Sequence, residues 1–252
     1  MPVETGLFSS SPFEAAAVSS VTTRINEGKT DYDALQLSVD KRFTRGFQFK
    51  GSYTLSKSRG STSGDGTPTA NFQLLDDLRL NLNEGPTSFD RRHNFVVSGV
   101  YQIPRTRGLM VSTIIRALSG TPFTLQDTRV DADQNGINFD PIAAGPYTAM
   151  RTFANGESLT FDYENAGGRN GARLPGYFGV DLRLAYKYDF TERVRAGFTF
   201  EIFNLTNCTN YDSDVLPANF SNFLAGTNTR DFLVQTGAKP PRTLQLGFRV
   251  SF

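Results

Sequence analysis

The sequence predicts an all-β chain, an antiparallel transmembrane β-barrel fragment of about eight strands with short periplasmic turns and long extracellular loops. Three observations predict it. Long stretches alternate apolar and polar residues with period two, and the apolar side of the clearest ones carries almost no charge. The connections between these stretches alternate between very short and very long. The 252 residues include 22 Phe, 9 Tyr and 23 Gly, a mix suited to strands and interfacial girdles. Only 38% of residues are apolar, and no run approaches the roughly 18 consecutive apolar residues that a spanning helix requires. A barrel crosses a bilayer with every second residue apolar, so a polar average composition is compatible with it.

In chain order, a weakly patterned strand is expected over Val18–Asn26. Tyr32–Phe43 follows, with Leu35, Leu37, Val39 and Phe43 on one face and Gln36, Ser38, Asp40 and Arg42 on the other. Thr44, Arg45 and Gly46 read as a tight turn. The return strand, Phe47–Lys57, presents Phe47, Phe49, Tyr53 and Leu55 outward and Gln48, Lys50, Ser52 and Thr54 inward. Lys41 is the exception on the outward face, close enough to a turn for its stem to snorkel.

After a polar excursion from Ser58 to about Asp90, residues Phe95, Val97, Tyr101 and Ile103 mark a strand. Pro104–Gly108 turns it, and the segment from Leu109 to about Thr124 returns, accepted on its β-branched content. A second long polar excursion, about Gln126–Pro175, precedes the best strand. There Phe178, Val180, Leu182, Leu184, Tyr186, Tyr188 and Phe190 share one side. Thr191 and Glu192 turn into Val194, Ala196, Phe198, Phe200 and Ile202. The opposite faces of these two strands carry Asp181, Arg183, Lys187, Arg193, Arg195 and Glu201, which, with Arg249, are expected to line a lumen and to pair across neighbouring strands. A third excursion, about Asn204–Pro241, leads to the last strand.

That strand, LQLGFRVSF, sets Leu244, Leu246, Phe248, Val250 and Phe252 on one face. It resembles the C-terminal strand of bacterial outer-membrane barrels, whose terminal Phe belongs to the signal read by the barrel-assembly machinery. A soluble β-sandwich also alternates, but its strands centre on about five or six residues and need no loops confined to one side.

Net charge is +1, so no nucleic-acid footprint is indicated. Cys208 is the one cysteine and forms no internal disulfide. His93 is the one histidine, which excludes a histidine-based metal cluster or catalytic triad. The paired Asp76 and Asp77 lie in a long loop and read as solvated, so no enzyme is expected. Asp131, Asp133, Asn135 and Gly136 have the spacing of a calcium loop, but Ile142 stands where its final Glu belongs. A polar turn without an ion is the favoured reading, and a calcium site with Asp140 as substitute ligand is the lesser alternative.

Several phrases together resemble the TonB-dependent outer-membrane transporters, specifically the Oar-like group with a carboxypeptidase-regulatory-type domain. They are YDALQLSVDKRFTRGFQFKGSYTLSKS, FDRRHNFVVSGVYQIP, SGTPFTL, GRNGARLPGYFGVDLRLAYKYDF, FEIFNLTN and the LQLGFRVSF ending, in that order. The resemblance implies a barrel of about 22 strands around a plug, a TonB-contacting segment, and uptake of a large solute driven by the energised inner membrane. No basic-then-apolar segment opens the chain, so residues 1–252 read as the C-terminal part of such a barrel, without plug or N-terminal strands. Its expected surroundings are outer-membrane lipid, the barrel-assembly machinery and, in the longer protein, plug and TonB. The alternatives are a self-contained small barrel with a structural or adhesive role, and a soluble β-rich binding module.

Overall fold

The computed structural model describes residues 28–61, 75–76, 79–106, 108–127, 129, 131–135, 140–191, 193–213, 222–223 and 232–252. The strand expected over Val18–Asn26 lies outside them. Long strands β1 (Thr30–Thr44), β2 (Phe47–Gly60), β3 (His93–Gln102), β4 (Met110–Leu118), β5 (Tyr177–Asp189), β6 (Arg195–Phe203) and β7 (Thr243–Ser251) form one sheet, joined by a two-residue strand at Gly85–Pro86. Each long strand pairs antiparallel with its neighbour in sequence. Among the described residues, β1 and β7 each have a strand partner on one side only.

The registers carry the predicted faces across the sheet. One apolar row runs Phe47, Tyr101, Val111, Leu184, Phe200 and Leu246 through six strands. The row starts at a turn on β2 and reaches the middle of β7, the stagger expected of tilted barrel strands. Phe178, Phe198 and Phe248 are 41%, 52% and 63% exposed, so no second layer covers this face among the described residues. The weak alternation of β4 is resolved by its partners: Val111, Thr113, Ile115 and Ala117 share the apolar face, and Met110, Ser112, Ile114, Arg116 and Leu118 the polar one. Lys41 pairs with Phe49 on the apolar face, just before a bulge between Lys41 and Thr44. Its Nζ lies 5.8 Å from the Phe47 ring centroid, an ammonium parked over an aromatic at the end of the strand.

Short connections fall at 45–46, 103–109 and 190–194, and Ser251 at the end of β7 lies opposite Arg195 at the same rim. The long connections, 61–92, 119–176 and 204–242, all leave from the opposite rim.

Three expectations are corrected. The strand expected to run to Thr124 stops at Leu118, because Ser119 and His93 exchange hydrogen bonds and Pro122–Phe123 pairs with Ala172–Arg173 instead. The excursion over about 126–175, read as a long polar loop, contains a hairpin of Gly145–Thr152 and Ser158–Asn165. Its signals were Tyr147, Ala149, Phe161 and Tyr163 at period two and the Asn155-Gly156 turn, with Gly156 at φ +87°. Arg193 does not lie on the polar face. It sits in the turn, where the Phe190 and Thr191 amides donate to Val194 O and the Thr191 hydroxyl accepts from the Arg193 amide.

Apart from the small side chains Ala185 and Ala196 on the sheet, the buried apolar core is in the loops among the described residues. Leu125, Phe161, Tyr163, Ala172, Leu174, Leu233 and Val234 form one cluster at the long-loop rim. A barrel wall is covered by lipid on one face and by lumen contents on the other, so only the loops must bury apolar groups among themselves.

Candidate functional site

Two places concentrate polar chemistry: the base of the loops and the polar face of the sheet. At the loop base, Asp90 is 2% exposed. Its Oδ1 accepts from the Ser58 amide at 2.7 Å, and its Oδ2 accepts from Arg173 Nη2. Arg173 Nη1 donates to Asp90 O at 2.8 Å and to Gly120 O at 3.2 Å. The Thr87 hydroxyl donates to Ser58 Oγ, Arg169 Nη1 to Ser61 O, and Asn170 Nδ2 to Pro86 O. Burial lowers the Arg169 pKa below the ordinary arginine value. Two long loops are thereby fastened to each other and to the ends of β2, β3 and β4. The backbones come so close that a Cβ at Gly120 would fall 1.6 Å from Leu174 O, which only glycine avoids.

The third loop is tied differently. Asn204 and Asn207 adopt φ of +52°, conformations that asparagine tolerates well. The Asn204 amide donates to Asp181 Oδ1, and Asn210 both donates to and accepts from the Phe178 backbone at 2.8 Å, like one more residue of a strand. His93 Nδ1 lies 2.9 Å from the Tyr53 hydroxyl at the long-loop end of β3.

On the polar face, Arg183 and Glu201 are register partners with Nε–Oε1 at 3.5 Å, and Arg195 and Asp189 pair at 3.3 Å. Asp181 Oδ2 accepts from Arg116 Nη2 at 2.8 Å. Arg116 was missed in the sequence because it follows Ile114 and Ile115, where parity was ambiguous. Lys187 and Arg249 lie in one register row, separated by Gly197. Of these, Asp181, Arg183, Lys187, Glu201 and Arg249 border a trough of about 820 Å³ whose lining also includes the small residues Ala185, Gly197, Thr199 and Gly247. Such solvated pairs contribute about 0–1 kcal/mol each, so they condition the wall's charge more than its stability.

The calcium-like residues come together: carboxylate oxygens of Asp131, Asp133 and Asp140 lie within 4.8 Å of one another. Their oxygens already have protein donors. Asp131 accepts from the Asn135 amide at 3.0 Å, Asp140 from the Ala132 amide at 2.6 Å, and Asp133 from Arg79 Nη2 at 2.6 Å. Asn135 Nδ2 donates to Leu75 O. Arg79 also bonds Asp76, the contact that does most to raise its pKa. Ile142 packs against the loop core. Gly136 and Asp77 lie outside the described residues. The Arg79 guanidinium therefore supplies positive charge to this cluster from within the chain.

Within the loop core, Tyr163 receives a hydrogen bond from Gln235 Nε2 at 3.1 Å, and burial pushes its phenol up to about 12. The raised value means that the folded state favours the neutral phenol. This contribution is complete below the ordinary tyrosine value near 10 and is lost as pH rises toward 12. The difference between wild-type and Tyr163→Phe absorbance titrations should therefore show one phenol ionising about two units late. A difference curve centred near 10 would contradict the buried placement.

The family model described as "Outer membrane beta barrel domain" matches residues 4–245. No curated protein and no solved structure matches the chain.

Proposed function

We propose that this chain, which belongs to the outer membrane β-barrel domain family, forms part of the wall of a wide, plugged barrel of the TonB-dependent, Oar-like kind. Family membership places it in the bacterial outer membrane. The transport reading is supported by the trough on the polar face. A barrel of about eight strands has an interior just wide enough to be filled by its own side chains. Here the lining includes Ala185, Gly197, Thr199 and Gly247, so the face is recessed where a small barrel would be packed. The charges around the recess suit contact with water or with a polar domain held inside a larger lumen. The fastened loops would then form the outer entrance, where a large solute is first met, and TonB would supply energy through the plug.

The test uses the protein in its native outer membrane, with a photo-crosslinking phenylalanine analogue replacing Thr199. The expected product joins the wall to a domain inside the lumen, and its yield changes when TonB is depleted. Crosslinks only to strands directly across a closed small barrel would overturn this reading in favour of a self-contained barrel.

A further inference from the structure

Two of the short turns hold arginine where turn geometry asks for something else. Arg45 and Gly46 connect β1 to β2 with φ of +54° and +79°, the pattern of a type I′ turn, whose first position favours Asn, Asp or Gly. Arg105 follows Pro104 with φ +66°, the pattern of a type II turn, whose corresponding position favours Gly or Asn. A side chain with a Cβ is strained at both places, and strain kept in a turn directs attention to what the side chain does. Arg193 sits in the remaining short turn. All three arginines are exposed, and among the described residues none of their guanidinium groups has a hydrogen-bond or ion-pair partner.

A second observation gives these charges a context. Directly above the turns, on the lipid-facing side, lies a band of aromatics. Phe47 stacks on Phe49 at 5.6 Å and meets Tyr101 edge-on at 6.3 Å, while Tyr188 contacts Phe190 at 4.9 Å. Such bands mark the level where hydrocarbon gives way to headgroups. Arginines one step beyond them stand at the depth of lipid phosphates, and Lys41 over Phe47 adds a further cation.

We infer that the short-turn rim is a docking surface for anionic phospholipid headgroups of the periplasmic leaflet, with Arg45, Arg105 and Arg193 as its phosphate contacts. Guanidinium groups suit this role because their planar forks bind phosphate oxygens two at a time. The surface would fix the depth and tilt of the barrel. The inference rests on the outer-membrane placement and on the short turns facing the periplasm, and is independent of what the barrel transports.

The test measures lipid binding to the purified full chain in neutral detergent by native mass spectrometry. Phosphatidylglycerol and phosphatidylcholine with the same acyl chains are titrated separately. The wild type should prefer phosphatidylglycerol, and added salt should erode the preference. Replacing Arg45, Arg105 and Arg193 together with Asn should weaken phosphatidylglycerol binding roughly fivefold per arginine, about a hundredfold in all. Phosphatidylcholine binding should not change. Thermal stability should hold or rise, because Asn accepts positive φ more readily than Arg. The corresponding triple Lys variant should retain most of the preference. Equal affinity of the wild type for both lipids, or equal losses for both in the Asn variant, would overturn the inference.

Discussion

Arg173→Met is expected to release the loops while leaving the sheet paired. The substitution keeps much of the side chain's bulk and removes its charge, so Asp90, whose side chain is 1% exposed, loses its ionic partner. Breaking a buried pair from one side costs about 3–5 kcal/mol, because the remaining charge cannot be solvated where it is. The same change also removes donors to Asp90 O and Gly120 O. Limited proteolysis in outer-membrane preparations should cut the variant within 61–92 and 119–176, where the wild type resists. Strand content should stay near the wild-type level, because the sheet's own hydrogen bonds are untouched. Pairing the change with Asp90→Asn removes the stranded charge, so the double variant should lose less than the two single variants summed. A protease pattern identical to the wild type would show that the clamp does not hold the loops.

The wall was legible in the sequence and the clamp was not, for a physical reason. A strand between lipid and water records both neighbours in its own alternation, so Leu35 to Val39 or Phe178 to Tyr188 can be assigned without knowing any partner. Parity nevertheless fails where a strand ends. Arg193 continued the alternation in letters but not in space, because the chain had already entered the Thr191 turn. The loop core has no such local record. Arg173 meets Asp90 across 83 positions, and Leu125 shares its buried cluster with Leu233 from another loop altogether. Even so, FDRRHNF and GRNGARLPG contain Asp90, Arg169, Asn170 and Arg173. The phrases that carried the resemblance in sequence hold the residues that fasten the loop base. The hairpin at 145–165 was readable from Asn155-Gly156, but the polar composition around it obscured its short alternation.

Leu246→Arg and Gln245→Arg, neighbours in β7 that differ only in face, should behave as opposites. Leu246 is 82% exposed and ends the apolar row from Phe47 through Phe200, so its side chain has lipid as its environment. A charge at the middle of that face costs about 2–4 kcal/mol, since neither water nor a counter-charge is available in hydrocarbon. Gln245 sits opposite Glu201 on the polar face, where an added guanidinium finds water and a carboxylate already facing its row. Refolding of the full chain into phospholipid vesicles, followed through a denaturant series, should show Leu246→Arg markedly destabilised and Gln245→Arg close to wild type. Length, charge and strand propensity are common to both substitutions, so the difference between them isolates the solvent on each side of the sheet. Equal penalties would mean that both faces meet the same medium. The apolar row would then be an interface between protein layers and not the outer surface of a membrane barrel.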